Sequence, residues 1–475
     1  MRKAIIIYIL AFLPLHIVYA QDKQDSFKDY REKMLSGFQG FRKNIMDDYA
    51  KFLNGVWEDY TAFKGEKPYP LPKPKVQPKK KESEPAPKPK EVVPENVKPA
   101  EPTKPDKQND PKPVVPNPSN MVSFDWCGMT LQLPNAKIQG ALHGTDKESI
   151  LAYFEELDNS LLCKEVLPQM ATIATSSRFN DWCLFLLIQS YVKKIKSNTD
   201  ANTRNITCWY IMVQFGFDVR LTLNGNNLFY LIPFQQKVFG RDYIIIHDTP
   251  YYLWGEGNPN SQLGLSTPKL PDDAGSYVNL VFLKPLDIPY KGKRFSHTFA
   301  GRTISGEVNE YLIKVMAQIP QIPIPLYAIS AGDSKARNQV LSQMKQHISN
   351  MSEIEAANFM LQFVQSFDYA TDDEQFGFEK PFFVEETLYY PKNDCEDRAI
   401  FYHFLVTNLL GNDVHLVHYP MHECNAVNFS QRLNADHYMY QGKQYVICDP
   451  TYIGATIGMC MPDFRNTKPE VELIK

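Results

Sequence analysis

The chain has 475 residues, of which 43% are hydrophobic, so it is longer than one average domain and can bury a sizeable core. Its formal net charge of -3 excludes a strongly basic protein that would bind nucleic acid through overall charge. Eight cysteines in a chain of this length do not form a disulfide scaffold. Export permits disulfides, but the sequence cannot pair the cysteines, and small buried thiols are the alternative.

The first 20 residues read MRKAIIIYILAFLPLHIVYA, two basic residues followed by an apolar run and a small residue. This pattern predicts a secretory signal peptide over residues 1–20, cleaved after Ala20. No cysteine stands at the cleavage point, so a lipid anchor is not expected, and no later run is long and apolar enough to span a membrane. The sequence therefore predicts a secreted or periplasmic protein.

Residues 21–65 carry an aromatic stripe, from Phe27 to Phe63, at spacings of three, four and four residues. This spacing predicts one amphipathic helix over residues 24–65. One hypothesis is that the helix docks on a protein partner or on a second copy. The alternative is that it folds back on its own domain.

Residues 66–120 are rich in proline and lysine and predict a disordered, extended linker, which either tethers the protein or is passive. The composition then becomes globular. Helical and strand-like patterns alternate over an α/β region at 121–262, a strand-rich connecting region at 263–332 and a C-terminal α+β domain at 333–475.

Two segments of the globular part resemble each other. FGFDVRLTL and the helix before it are similar to LGNDVHLVH and its preceding helix. Aligning Gly216 on Gly411 places Asp200 at the position of Cys395 and Asp242 near that of His437. The hypothesis is a degenerate, non-catalytic copy over 121–262. The alternative is that a helix followed by strands is simply a common arrangement.

Cys395 opens a helical pattern that Asn393 or Asp394 can cap and that Gly411 can end. A thiol in the first turn faces free backbone N–H groups and the positive end of the helix dipole, which favour the thiolate. Glu396 and Asp397 oppose this effect because they add negative charge nearby. A histidine is therefore needed to complete activation of the thiol.

His437 and Asp449 flank a predicted hairpin. A three-residue loop at 442–444 would place them opposite each other on one face, where Asp449 could orient the imidazole. A two-residue loop would instead place Cys448 opposite His437 and turn Asp449 to the other face. The triad hypothesis thus predicts the longer loop. The backbone N–H of Cys395 is one oxyanion donor, and candidates for a second are Tyr390, Gln365 and Gln362.

These residues carry a resemblance to the transglutaminase-like superfamily. FMLQFVQ, VEETL and NDCEDRA, followed by ADHYMY and CDPTY, are similar to its motifs in order over about residues 350–460. The resemblance implies an α+β, papain-like core in which the helix that carries the nucleophile packs on an antiparallel sheet. It also implies that Cys395 is the nucleophile, His437 the base and Asp449 the orienting carboxylate. Asn393 stands where the family often has glycine.

The same resemblance implies thiolate attack on an amide carbonyl of a peptide or protein substrate, giving a thioester. Water then makes a peptidase or amidase, and an amine makes an acyl transferase; hydrolysis is the expected outcome. The competing hypothesis is a catalytically inactive binding or scaffold protein of the cell envelope.

Two further clusters contain residue types that can ligate metals. His415, His418, His422 and Cys424 fit no strong zinc spacing, and His415 and His418 should face opposite sides of a strand. Asp372, Asp373 and Glu374 lack the alternating ligands of a calcium loop and predict a solvated loop. The sequence therefore predicts no metal, no cofactor and no nucleic-acid partner.

Overall fold

The computed structural model describes residues 49–67, 120–260, 264–269 and 275–472. Over these residues the chain is a mixed α+β protein with antiparallel sheets. The described residues divide into two compact units, one formed by those at 49–66 and 133–280, the other by those at 67, 120–132 and 281–472. The predicted signal peptide at 1–20 and nearly all of the predicted linker at 66–120 lie outside the described residues. Among the described helices, none has the length and apolar character needed to cross a bilayer.

The helix predicted over residues 24–65 is confirmed at residues 49–54 and is wrong from residue 55 onward. There β1 (Trp57–Tyr60) follows and pairs with β8 (Leu265–Pro268). Gly55, a poor helix former, lies at the break. Tyr49 is buried with its ring 5.8 Å from that of Trp209, so this part packs on its own unit. The docking hypothesis for residues 24–48 lies outside the described residues.

The first unit consists of helices followed by one sheet. Its helices are α1 (Lys147–Asn159), a π-helical turn (Leu162–Val166) that continues into α2 (Leu167–Ser176), α3 (Asp181–Ile195) and α4 (Ala201–Gln214). The remaining strands are β4 (Arg220–Asn224), β5 (Asn227–Pro233), β6 (Tyr243–Ile246) and β7 (Thr249–Trp254). The order across this six-stranded sheet is β1-β8-β4-β5-β7-β6. A separate hairpin, formed by β2 (Met121–Trp126) and β3 (Met129–Pro134), falls in the second unit as far as residue 132.

The part of the second unit that follows residue 280 begins with the hairpin β9 (Gly292–Phe299) and β10 (Arg302–Asn309). Its helices are α5 (Glu310–Met316), α6 (Ile324–Ile329), α7 (Ser334–Ile348), α8 (Glu353–Gln365), α9 (Asp372–Phe376), α10 (Val384–Tyr389) and α11 (Cys395–Leu410). The region predicted as strand-rich at 263–332 therefore ends in two helices, and the unit includes residues 281–332, which the predicted boundary at 333 leaves out.

The second unit closes with a five-stranded antiparallel sheet. Its strands are β11 (Asp413–Tyr419), β12 (His422–Asn428), β13 (His437–Tyr440), β14 (Lys443–Cys448) and β15 (Glu470–Glu472). Their order is β13-β14-β12-β11-β15. Asn425 on β12 donates to the carbonyl of Ala399 on α11 at 3.0 Å, and Tyr402 on α11 donates to Ala357 on α8 at 3.2 Å. These bonds fix α11 between the sheet and α8.

The two units share one topology. In each, a helix is followed by five strands, and the strand order β6-β7-β5-β4-β8 of the first unit matches β13-β14-β12-β11-β15 of the second. The registers also correspond, since Tyr230 pairs with Trp254 in the first sheet and Asn425 pairs with Cys448 in the second. The internal similarity seen in the sequence is thus matched by the same strand order.

Candidate active site at the start of helix α11

Cys395 is the first residue of α11, where the sequence predicts it. Asp394 precedes it with extended backbone as the N-cap, and the carboxylate of Asp397 accepts the backbone N–H of Asp394 at 3.2 Å. Gly411 ends the helix in the left-handed conformation with φ of 72°. Both predicted limits of the helix are confirmed, and the sulfur therefore lies beside the N-terminal backbone N–H groups.

The environment of the sulfur is buried and acidic. Cys395 is 1% exposed, and its Sγ lies 3.3 Å from Oε2 of Glu396, to which the thiol donates. The nearby backbone N–H of Glu423 on β12 acts in the opposite direction to burial and lowers the pKa of the Cys395 thiol. Burial above all, and then the charge of Asp394, raises the pKa of the Cys395 thiol well above its usual value. The acid that opposes the thiolate most is therefore Asp394, rather than the expected Glu396 and Asp397, and the hydrogen bond with Glu396 acts in the opposite direction.

Asp449 follows the end of β14 and holds an imidazole, but the imidazole is that of His422. Nε2 of His422 lies 2.8 Å from Oδ2 of Asp449, and both side chains are buried. Oδ1 of Asp449 accepts the backbone N–H groups of Thr451 and Tyr452 at 2.9 and 3.0 Å. Where Nε2 of His422 donates to Asp449, Nδ1 is the ring nitrogen left to accept a proton.

His437 is not brought to Asp449. It is exposed, and its Nδ1 lies 2.8 Å from the carbonyl oxygen of Ala435. Its partner across the hairpin is Val446. Val446 and Asp449 are three residues apart along the chain, so their side chains leave the strand on opposite faces. The expected pairing of His437 with Asp449 is wrong.

The reason lies in the turn. Tyr440 pairs with Lys443, so the loop has two residues, Gln441 and Gly442, rather than the three expected at 442–444. Both have positive φ, 47° and 80°, as a type I′ hairpin turn requires. This turn matches the twist of the flanking strands and sets the pairing register of β13 with β14. In that register His437 does not lie opposite Asp449.

His422 is the residue that the sequence argument missed, because it was weighed only as a metal ligand. Asn425 pairs with Cys448, which places Asp449 opposite Cys424. His422 is two residues from Cys424 and shares its face of β12. The available signal was that Pro420 and Met421 form a tight turn, so His422 begins a central strand just after α11 and β11.

The other histidines have separate partners, as their spacing predicts. The ring of His415 stacks on Tyr445 with centroids 3.9 Å apart, whereas Nδ1 of His418 lies 3.2 Å from Oε2 of Glu423. His422, Cys424 and Asp449 offer a nitrogen, a sulfur and an oxygen within 4.8 Å of one another. These atom types could also ligate zinc, a combination that the sequence argument discounted.

The acidic residues predicted in a solvated loop differ in their burial. Asp373 and Glu374 are exposed, but Asp372 is buried, so the expectation is wrong for Asp372.

The side-chain amide of Gln365 is hydrogen-bonded to backbone groups, so it holds the chain in place and does not serve as an oxyanion donor. Its Nε2 donates to the carbonyls of Asp449 and Ala455, each at 3.1 Å, and its Oε1 accepts the backbone N–H of Gly454 at 3.1 Å. These bonds fasten the turn after Asp449 to the end of α8.

The first unit lacks all three groups at the corresponding places. Its helix α4 begins after the N-cap Asp200, so Asp200 corresponds to Asp394, and Ala201 stands in the place of Cys395. By the shared register, Asn227 corresponds to His422 and Gly255 to Asp449. The expected match of Asp200 to Cys395 is one residue off, and Asp242 corresponds to Asp436, the residue before His437.

Comparison of the chain with protein-family models, curated proteins and solved structures found no match. The transglutaminase-like resemblance therefore depends on the sequence motifs alone.

Proposed function

We propose that the chain is a secreted, cysteine-dependent amide-bond enzyme with a transglutaminase-like core. Cys395 is the nucleophile, His422 the general base and Asp449 the carboxylate that orients the imidazole. The observation that carries the proposal is the buried hydrogen bond between His422 and Asp449. The residue after His422 on β12, Glu423, has its backbone N–H near enough to Cys395 to lower the pKa of the thiol.

The chemistry assigns each residue one role. The thiol proton passes to Nδ1 of His422, and the sulfur attacks the amide carbonyl of a peptide or protein substrate. The backbone N–H of Cys395, free in the first helical turn, donates to the oxyanion. The C–N bond breaks, the amine leaves with the proton from His422, and a thioester remains. Water activated by His422 then releases the acid and restores the thiol.

The proposal requires a change at the sulfur. Its hydrogen bond to Glu396 must give way to one with His422, and substrate must reach a side chain that is 1% exposed. Catalytic hydrogen bonds in free enzymes are often long or misdirected and tighten when substrate binds.

The burial and protonation of the same thiol favour a second candidate, a binding or scaffold protein that keeps the fold without turnover. In that case Cys395 is a buried, inert thiol, which is the usual condition of a lone cysteine.

Labelling of the full chain with a peptide-based thiol electrophile separates the two. The enzyme hypothesis predicts that the adduct maps to Cys395, and that it disappears in Cys395→Ser. Among the described residues, Cys127 is half-buried and the other seven cysteines are buried, so Cys127 is the internal control. Labelling of Cys127 alone, with Cys395 modified only after unfolding, would establish the scaffold.

A further inference from the structure

The β9–β10 hairpin has a two-residue turn, Ala300 and Gly301, and both residues have positive φ. The residues that flank such a turn, Phe299 and Arg302, form a hydrogen-bonded pair, and further hydrogen-bonded pairs recur at every second position. The residues between these pairs direct their backbone N–H and C=O groups away from the partner strand. They are Thr303, Ser305 and Glu307 on β10 and Arg294, Ser296 and Thr298 on β9.

Helix α7 covers the outward backbone groups of β10. The side-chain amide of Gln343 accepts the backbone N–H of Ser305 at 3.2 Å and donates to the carbonyl of the same residue at 2.7 Å. Oε1 of Gln339 accepts the backbone N–H of Glu307 at 3.0 Å. The two glutamines thus take the place of a neighbouring strand, and this edge of the hairpin is closed.

The opposite edge of the hairpin, along β9, is open within the part of the chain that the structure describes. There the sheet has two strands, and the backbone groups of Arg294, Ser296 and Thr298 bond to no third segment. All three residues are exposed. An edge with such a row of free donors and acceptors is a template on which an extended peptide can add as a further strand.

The inner face of β9 packs on the C-terminal part of α8 and the residues after it, which holds the open edge in place. The ring of His297 stacks on that of Phe367 with centroids 4.1 Å apart, and its Nε2 lies 2.7 Å from Oγ of Ser366. The rings of Phe299 and Phe359 have centroids 5.5 Å apart. Because these contacts already fix the strand, the conformational entropy lost on binding is mainly that of the peptide.

The charge of β9 indicates which peptide would fit. Residues 291–299, KGKRFSHTF, include three basic residues and no acidic one. The side chain of Arg294 is 91% exposed, and its Nε lies 3.9 Å from Oε1 of Glu307, a carboxylate that also holds Lys335 at 2.9 Å. A second copy of β9 would bring like charges to this edge, whereas acidic side chains on a peptide would complement it.

We propose that the open edge of β9 binds an extended peptide segment rich in acidic residues, which adds to the hairpin as a third strand. The backbone of the peptide pairs with that of Arg294, Ser296 and Thr298, and one of its carboxylates faces the Arg294 guanidinium. The proposal requires neither Cys395 nor turnover, so it is independent of the enzymatic proposal.

Binding of a defined probe peptide to the full-length protein tests the proposal. The probe is a fluorescein-labelled peptide of about eight residues, the length of β9, in which glutamate alternates with valine. Fluorescence anisotropy should show saturable binding. A matched peptide with lysine in place of each glutamate should bind at least about tenfold more weakly, because its charge repels that of β9. Equal binding of the two peptides would contradict the acidic preference.

Ser296→Pro tests whether backbone pairing holds the peptide. The backbone N–H of Ser296 points away from β10, so proline removes an outward donor and leaves the hairpin ladder intact. Binding of the acidic probe should weaken by at least about tenfold. Ser296→Ala, which changes the side chain alone, should bind as wild type. Equal affinity of the two variants would overturn the proposal.

Arg294→Glu is a second variant in case Ser296→Pro does not fold. It keeps the backbone edge and reverses one exposed charge, so it should weaken binding of the acidic probe by at least about tenfold. Hydrogen exchange of the wild-type protein needs no variant. The backbone N–H groups of Arg294, Ser296 and Thr298 should exchange rapidly in the free protein and slowly with the probe bound.

Three results would overturn the proposal. The first is absence of binding at about 1 mM acidic probe. The second is slow exchange of the same three N–H groups without the probe, which would show that another part of the chain covers the edge. The third is a concentration-dependent dimer that Ser296→Pro abolishes, which would assign the edge to a second copy.

Discussion

Nε2 of His422 lies 2.8 Å from Oδ2 of Asp449, although 26 residues separate the two along the chain and His437 is nearer in sequence. The pair forms because β14 has β13 on one side and β12 on the other. The carboxylate after β14 thus meets the imidazole that begins the central strand, and not the one that begins the edge strand.

Replacing each histidine by alanine should distinguish the two candidate bases. In His422→Ala the base is lost, and the rate at which a peptide electrophile labels Cys395 should fall by about 100-fold or more. His437→Ala should leave the rate within about twofold, because His437 is exposed and its imidazole bonds to the backbone carbonyl of Ala435. Both labelling rates are measured by mass spectrometry of samples quenched at successive times. The reverse result would restore His437 as the base.

Asp449→Asn should separate orientation of the imidazole from folding. The amide oxygen can still accept from Thr451 and Tyr452, so Tm should change little. Its NH2 group cannot accept the Nε2 proton of His422, so the imidazole is held in the wrong tautomer, and labelling of Cys395 should fall by about 100- to 10,000-fold. Asp449→Ala, which also abandons the two backbone donors, should lower Tm as well. A labelling rate equal to wild type in Asp449→Asn would remove Asp449 from the mechanism.

Gly255 and Gly411 offer a matched test of local crowding. Gly255 has φ of 136°, and a Cβ there would lie 3.0 Å from the Asn205 side chain, which bonds to Leu228 and Glu256. Gly411 has φ of 72° with open space around it. We expect Gly255→Ala to lower the free energy of unfolding by about 3 kcal/mol and Gly411→Ala by about 1 kcal/mol. Denaturant unfolding measures both; equal losses would show that Asn205 moves aside freely.

Asp181, in the first turn of α3, should make the first unit less stable as pH rises. Burial raises its pKa to about 6, although its carboxylate accepts the backbone N–H of Asn279 at 2.9 Å. Because the folded pKa lies above the unfolded value near 4, this stabilisation is complete below pH 4 and is lost as pH rises through 6, by about 2 kcal/mol after allowance for partial exposure.

Asp181→Asn keeps an acceptor for Asn279 and removes the charge, so this variant should be more stable than wild type at pH 8. The difference in unfolding free energy should shrink between pH 7 and pH 4. A difference that is constant over this range would show that Asp181 does not titrate near pH 6. Chemical denaturation at several pH values provides the measurement.

The helix of Cys395 could be predicted because its signals are local. Asp394 and Gly411 mark its ends through backbone geometry that short polar residues and glycine adopt readily. The position of Asp449 at the end of a strand was equally local. The histidine that pairs with Asp449 could not be predicted in this way. Its identity depends on which strands are neighbours in the sheet, and long-range packing decides the order of the strands.

Two errors came from patterns that fit more than one structure. The aromatic spacing around Trp57 and Tyr60 fits a helix, but these residues pair with β8 as a strand. The hairpin at Gly442 admits loops of different lengths, and the choice of a type I′ turn at Gln441 and Gly442 moved the whole register. Periodicity and turn residues restrict such choices, and tertiary contacts complete them.

The first unit has the same strand order but carries Ala201, Asn227 and Gly255 at the places of Cys395, His422 and Asp449. A scaffold that assembles without sulfur, imidazole or carboxylate at those places does not depend on them for its own formation. Reactivity in such a scaffold can therefore be removed or installed by a few side-chain replacements, while the arrangement of helix and strands is inherited intact.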